Sequence, residues 1–473
     1  MYKKIMSLAV LLSALLLCSS CLNNTDDDYT YNDDSAITAF QLGNVQYVAG
    51  QYKATGKDSI VSKDFSSVKF RIDQLGRRIY NVDSLPMQAM ASKVLCSAST
   101  YNSGMIGLKS ATSDTVKYFS STDTIDFTTP RELIVYSNSG LGFRRYKVEV
   151  NVHKQDSAAF VWQQMESLPE KAKEMKGLRL HISGDAMQLV GNDGERTYLF
   201  GGKGNASNVC INADYADATG LWRGMVSNGD NSFVLMPDGR IALMLEDWYY
   251  EMASPGVSLT ALAAASANGV TALDADGKLV RVLAEQRDDH THAFSWVAED
   301  TDDDTSLFPT KGVGSAKLPL ATNSDCTQVI VAGHNQGDTH SSVWSKIEDG
   351  GNSQQWMRYT TDDNTKLLPA FDNLQMGAYN GELVAMGHND GDLTAKFYRS
   401  NDRGMTWQAD SVVTLPEGFS SNGAIAFTID SDNFVWLACG GSGQVWRGRQ
   451  NFLGWEKRQD IYDEKGALLK VKK

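Results

Sequence analysis

Several things are scarce in this 473-residue chain, and each scarcity narrows what it is. Basic charge is outweighed: 44 lysines and arginines against 57 aspartates and glutamates leave a formal net charge of -13. Such a surface repels nucleic acid and anionic lipid. Cysteine numbers only 6, and Cys96, Cys210, Cys326 and Cys439 stand far apart with no C-x-x-C pair and no close histidine. That argues against zinc and for mostly buried free thiols. Long apolar runs are missing too, since the stretch from Ile5 to Leu17 is too short to span a bilayer. What is present, 42% hydrophobic and 21% charged residues, is the composition of a globular protein, and the length exceeds one ordinary core.

The first residues are an address. Lys3 and Lys4 precede the apolar run, and Ser19-Ser20-Cys21 ends it with small residues before a cysteine. The segment 1–20 resembles a bacterial lipoprotein signal peptide, which implies lipidation of Cys21. Cys18 is the alternative acceptor, and the poorer one because Leu17 is a bulky residue at the cleavage position. Residues 21–34 carry Asp26-Asp27-Asp28 and Asp33-Asp34 without apolar period, the composition of a flexible tether. An acidic tract after the cysteine resembles the surface-export signal of Bacteroidota lipoproteins, which implies the outer face of the outer membrane; a plain solvated linker is the other reading.

Residues 35–154 read as short strands: Ile37 to Leu42, Val68 to Ile72, Lys93 to Ser97, Met105 to Leu108, Glu132 to Tyr136 and Tyr146 to Val152. In the last, Tyr146, Val148, Val150 and Val152 alternate with Lys147, Glu149 and Asn151, so one face is buried. Strand number and the lack of helical period predict an immunoglobulin-like β-sandwich. The phrase from Asp126-Phe127 through Pro130 to Tyr146-Lys147-Val148 resembles the last strands of immunoglobulin-like modules in such lipoproteins.

Beyond the sandwich, residues 155–473 are governed by repeats. Gly333-His334-Asn335-Gln336-Gly337-Asp338 recurs as Gly387-His388-Asn389-Asp390-Gly391-Asp392, giving a repeat of roughly fifty residues. Ser400, Asp402, Gly404, Thr406 and Trp407 have the pattern S-x-D-x-G-x-T-W, which resembles the Asp box of β-propellers, a structural hairpin. Turn pairs at Asp193-Gly194, Asp238-Gly239, Asp276-Gly277 and Asn380-Gly381, with weaker turns at Asn323 to Asp325 and Asp432-Asn433, each precede an apolar strand. Each unit then reaches a tryptophan: Trp222, Trp248, Trp296, Trp356, Trp407 and Trp455. The prediction is an all-β chain ending in a propeller of about six blades, with seven as the runner-up, and with Phe160 to Gln164 as a strand that helps close the ring. Leu199-Phe200-Gly201-Gly202 and Ala438-Cys439-Gly440-Gly441 resemble the strand ends of kelch propellers.

Candidate ligand contacts are few. His334 and His388 occupy matching repeat positions, although a turn role suits them better. Trp248-Tyr249-Tyr250 is the best aromatic cluster for a sugar ring, with Trp248 in the core and Tyr249 as the contact. The carboxylates of Glu299 to Asp304 suit calcium or, more simply, a solvated loop. No residues are assigned to catalysis, to a metal or to a cofactor. The whole layout resembles an uncharacterised Bacteroidota surface-lipoprotein family with an N-terminal immunoglobulin-like domain and a C-terminal Asp-box or kelch-like propeller. The resemblance implies an outer-membrane, lipid-anchored binding protein whose propeller face engages a glycan or protein. Alternatives are a glycosidase or lyase using carboxylates over the channel, or a structural subunit of an outer-membrane assembly.

Overall fold

The computed structural model describes residues 31–51, 58–217, 219–245, 250–287, 291–361, 364–454, 459–462 and 468–472. Cys18, Cys21, Trp248, Tyr249 and Trp455 lie outside the described residues. Two compact units emerge, one of residues up to Ser157 together with those from Trp455 onward, the other spanning Ala158–Gly454.

In the first unit, one sheet has the strand order Asp58–Asp64, Ile37–Gln51, Ala89–Thr100. The other runs Phe70–Asp73, Arg78–Asn81, Phe143–Glu149, Arg131–Tyr136, Met105–Lys109, Val116–Tyr118. The two sheets share a core in which Leu42, Val45 and Val94 meet Ile79, Leu133, Tyr146 and Val148, so the unit is a β-sandwich. Tyr146 is fully buried, and its hydroxyl donates to Gln74 Oε1 at 2.5 Å, which meets the need of a buried phenol for a partner. Arg78–Asn81 and Phe143–Glu149 pair in parallel, and a parallel bridge between Leu85 and Val152 follows, while the other strand pairs of the unit are antiparallel. Three strands are absent from the sequence expectation: Asp58–Asp64, Arg78–Asn81 and Val116–Tyr118. The first and last lie at sheet edges and are almost wholly exposed, so no apolar alternation marks them; Arg78–Asn81 is buried but only four residues long, too short to show a period.

The second unit is a ring of six antiparallel sheets. Blade one holds the strands from Gly177 to Ala216, blade two Val226 to Ala253, and blade three Leu259 to Ala298. Blade four runs from Lys311 to Arg358 and blade five from Asn373 to Ala409. In blade six, Ile425–Ile429, Val435–Cys439 and Val445–Gln450 are completed by Phe160–Gln164, which pairs antiparallel with Val445–Gln450. The earliest strand of the unit thus closes the ring against its latest. Trp162 secures the joint by donating from its indole to the Thr414 carbonyl at 2.8 Å.

Apolar side chains explain why the sheets stack radially. Side chains alternate across each strand, so in blade four Val329 and Val331 face blade three while Ile330 and Ala332 face blade five. Each adjacent pair of blades shares one such core. The second strands of blades four and five are therefore buried on both sides, and Val329 to Ala332 and Leu383 to Met386 read as unbroken apolar runs.

The turn pairs count the blades, but they do not all mark the same joint. Asp193-Gly194, Asp238-Gly239 and Asp276-Gly277 link the second and third strands of blades one to three. Asn323 to Asp325, Asn380-Gly381 and Asp432-Asn433 link the first and second strands of blades four to six. The tryptophans divide likewise. Trp222, Trp356 and Trp407 are buried between blades, whereas Trp296 stands on an outer strand and is 44% exposed.

Candidate functional site

The first strand of every blade faces the ring axis, and together these strands enclose a cavity of about 690 Å³. Its wall in blade one is Gly177–Ser183, where Leu178, Leu180 and Ile182 pack into the core shared with blade six. Alternation turns Arg179, His181 and Ser183 the other way, toward blade two. All three are buried: Arg179 donates from Nε to the Arg223 carbonyl at 2.9 Å, and His181 Nε2 lies 2.8 Å from the Gly229 carbonyl. A carbonyl only accepts, so Nε2 of His181 carries the proton. Burial first, with the Lys317 charge adding to it, pushes the His181 pKa down to about 4, which leaves the ring neutral at pH 7. Lys317 reaches the cavity from blade four and donates to the Ser227 carbonyl at 3.3 Å, and burial pushes its pKa down to about 8.

At one mouth of the ring, Trp222, Arg223, Asn373, His388 and Asp390 line a smaller recess of about 230 Å³. Arg223 ion-pairs with Asp390 at 2.9 Å, and the Arg223 Cζ lies 5.1 Å from the Trp222 ring centroid. The Arg179 Cζ is 5.9 Å from the same ring. One indole thus has two guanidinium groups beside it.

His334 and His388 end the second strands of blades four and five, as the repeat suggests. His334 is buried, with Nδ1 3.1 Å from the Asn335 carbonyl and Nε2 3.2 Å from the Phe371 carbonyl. That approach is crowded: Gly312 has φ of +50°, and a Cβ there would sit 1.8 Å from the same Phe371 oxygen. His388 is buried with Nδ1 3.4 Å from the Asn389 carbonyl, and it lines the recess at the mouth. Burial and the Arg179 charge lower its pKa. The two histidines do not converge on a common point: one is taken up by a neighbouring blade, the other borders the recess. Tyr249 lies outside the described residues.

Acidic residues from Glu299 to Asp304 are dispersed among separate partners. Glu299 accepts from Lys346 Nζ at 2.7 Å and from the Trp356 indole at 2.9 Å. Asp302 accepts from the Arg358 backbone, and Asp304 caps the short 3-10 turn after it. The Ser400 to Trp407 turn lies between the third and fourth strands of blade five. Asp402 accepts from the Thr406 amide at 2.9 Å, the Thr406 hydroxyl at 2.5 Å and Ser400 Oγ at 2.8 Å. Ser400 Oγ accepts from the Gly404 amide, and Trp407 donates back to the Gly404 carbonyl. These bonds hold the turn, while Arg403 donates outward to Gln328 and the Pro319 carbonyl of blade four.

Arg179, His181 and Lys317 do not stand out in the sequence. Leu178-Arg179-Leu180-His181-Ile182 reads as a half-buried strand whose polar face meets water. The ring instead buries that face, and only its closure turns the polar positions into channel lining.

Comparison with known proteins follows the same division of the chain. Residues 40–150 match the N-terminal domain of DUF6242, a domain of unknown function, and residues 156–458 match the DUF6242 beta propeller domain. No curated protein matches. Among solved structures, BamB of Moraxella catarrhalis is 12% identical over 61% of this chain and 100% of its own, with a TM-score of 0.30. A fucose-specific lectin of Aleuria aurantia is 12% identical over 61% of this chain and 93% of its own, with a TM-score of 0.31. A Bacteroides fragilis protein is 14% identical over 26% of this chain and 98% of its own, with a TM-score of 0.18. With both of its domains matched in order, the chain belongs to the DUF6242 family.

Proposed function

We propose that the protein is a lipid-anchored cell-surface binding protein whose propeller engages a glycan or protein ligand at the channel. The observation that carries this reading is the cavity of about 690 Å³, bordered by all six inner strands and reached by polar side chains, among them the buried Arg179 and His181 and the half-buried Lys317. Ligand sites are concave, have a few convergent polar groups, and sit where a rigid scaffold holds those groups in place. The anchor rests on Cys21 and the acidic residues after it.

A glycan array probed with the full chain, together with pull-down from intact cells, tests the binding role. Retention of particular glycans or recovery of a fixed partner supports it. Release of cleaved sugar from bound glycans would replace it with an enzymatic role. Cys21→Ser tests the anchor: the protein is expected to leave the membrane fraction, and persistent lipid labelling would move the acceptor to Cys18. Protease treatment of intact cells is expected to degrade the propeller, and its full protection would rule out display on the outer face.

A further inference from the structure

Arg179 has an unusual balance of bonds. Only Nε is engaged, with the Arg223 carbonyl; Nη1 and Nη2 are buried without a hydrogen-bond partner, in a residue 4% exposed. Its surroundings are of the wrong sign to compensate. Arg223 brings a second positive charge, and among the described residues no carboxylate forms an ion pair with Arg179. Burial and that like charge push its pKa down to about 9, which still leaves it protonated at pH 7.

A buried charge without a counter-charge is strongly unfavourable, and a guanidinium does not escape by losing its proton. Buried polar groups in folded proteins are otherwise nearly all satisfied. An orphaned fork on the wall of a cavity points to a partner that comes from outside the chain. We infer that the channel binds an oxyanion group of a ligand, a carboxylate or a phosphate, whose two oxygens accept from Nη1 and Nη2 of Arg179. The inference rests on the binding role proposed above and specifies its chemistry.

Geometry favours this site over the other cations of the ring. Lys317 already has the Ser227 carbonyl, and Arg223 already has Asp390 and Asn373. Arg179 alone among these three offers two parallel donors, the arrangement that matches a carboxylate or phosphate edge. The cavity beside it accommodates the remainder of a sugar-sized ligand. Arg223, 39% exposed at its side chain, stands beside Arg179 and borders the recess at the mouth.

The experiment titrates the full chain with sodium glucuronate and, separately, with inorganic phosphate, at ionic strength matched by chloride. Calorimetry reads affinity and a thermal melt reads stability. One-site binding of glucuronate alone assigns a carboxylate ligand, and binding of phosphate alone assigns a phosphate ligand. Binding of neither overturns the inference. Arg179→Met is expected to weaken the binding at least about tenfold, since both charge and fork are lost. Without added anion it is expected to melt above the parent protein, because an unpaired buried charge has been removed. A purely structural arginine would give the reverse, a lower melting temperature with unchanged anion affinity. Should the methionine variant not fold, Arg179→Lys keeps the charge and loses the fork, and undiminished binding by it would overturn the bidentate contact. Arg240→Gln, on the surface and paired with Asp238, serves as the control and should bind as the parent does. Array hits confined to neutral glycans and kept by Arg179→Met would sink the oxyanion site while leaving the binding role intact. An array and pull-down that are both blank would sink the binding role itself.

Discussion

Arg223, from the segment leading into blade two, is bound at the channel mouth to Asp390 of blade five, with Nη2 2.9 and 3.1 Å from the two carboxylate oxygens. Asn373 completes the clasp, accepting from Arg223 Nε at 3.2 Å and donating to Asp390 Oδ1 at 2.9 Å. The paired side chains are 39% and 59% exposed, so water screens their attraction. Asp390→Asn should therefore change unfolding free energy by less than about 1 kcal/mol in urea titration. It should also quicken hydrogen exchange around Arg223 and Asn373, where the clasp no longer restrains the recess.

His181 makes the ring sensitive to mild acid. Its folded pKa of about 4 lies below the ordinary 6.5, so the unfolded chain takes up the proton first. Its contribution is intact above pH 6.5 and drains away as pH falls toward 4, a loss of roughly 3 kcal/mol. Lys317 and Asp230 act on the same ring in opposite senses, and His388 adds a loss of the same sign. His181→Gln retains a donor for the Gly229 carbonyl and should flatten the melting-temperature profile between pH 6.5 and 4. An unchanged slope would assign the acid sensitivity elsewhere.

Lys346 is 1% exposed and stands between Glu299 at 2.7 Å and Glu348 at 3.1 Å, binding blade three to blade four. Lys346→Met leaves the buried Glu348 carboxylate without a cation and Glu299 with only the more distant Arg281, at 4.0 Å. A loss of about 3–5 kcal/mol is expected, read as a shift of the urea midpoint. Adding Glu299→Gln and Glu348→Gln should restore much of it, because the buried charges left unpaired are then gone. If the single variant is as stable as the parent, the ion cluster has no structural weight.

Asp402 organises its turn by accepting three hydrogen bonds, and Asp402→Ala should lower stability by about 1–2 kcal/mol. Burial raises its pKa, but the Thr406 and Ser400 donors outweigh that, and the net shift is downward from 3.8. The stabilisation is therefore full above pH 3.8 and vanishes as pH falls through the lower folded value. The difference between parent and variant should accordingly shrink below pH 3.8, and a difference that persists unchanged would trace the effect to packing.

What the sequence reveals of this fold follows burial. Val329 to Ala332 and Leu383 to Met386 are sandwiched between blades, so both faces are apolar and the runs are plain to read. Asp58–Asp64 borders solvent on nearly every residue and leaves no such trace. The turn pairs give the number of blades because one joint in each blade carries such a turn; the joints of an antiparallel meander share their turn chemistry, so the pairs do not tell which joint they mark. Arg179 escapes notice for a different cause. Its isolation is a property of the closed ring, where residues distant in sequence, Trp222, Arg223 and His388, become its surroundings.

Phe160 pairs with Gln450, and Asn451 donates to the Ala159 carbonyl. The chain therefore joins and leaves the ring at a single seam. A unit built this way is a cassette: its two ends need only one docking point on whatever carries it, so exchange between carriers or insertion into a loop leaves the circle unbroken. The same seam defers completion to the end of synthesis. Blade six has its outer strand waiting from the outset, yet it stays unfinished until Gln450 has emerged, and a chain halted earlier exposes two bare strand edges to its neighbours.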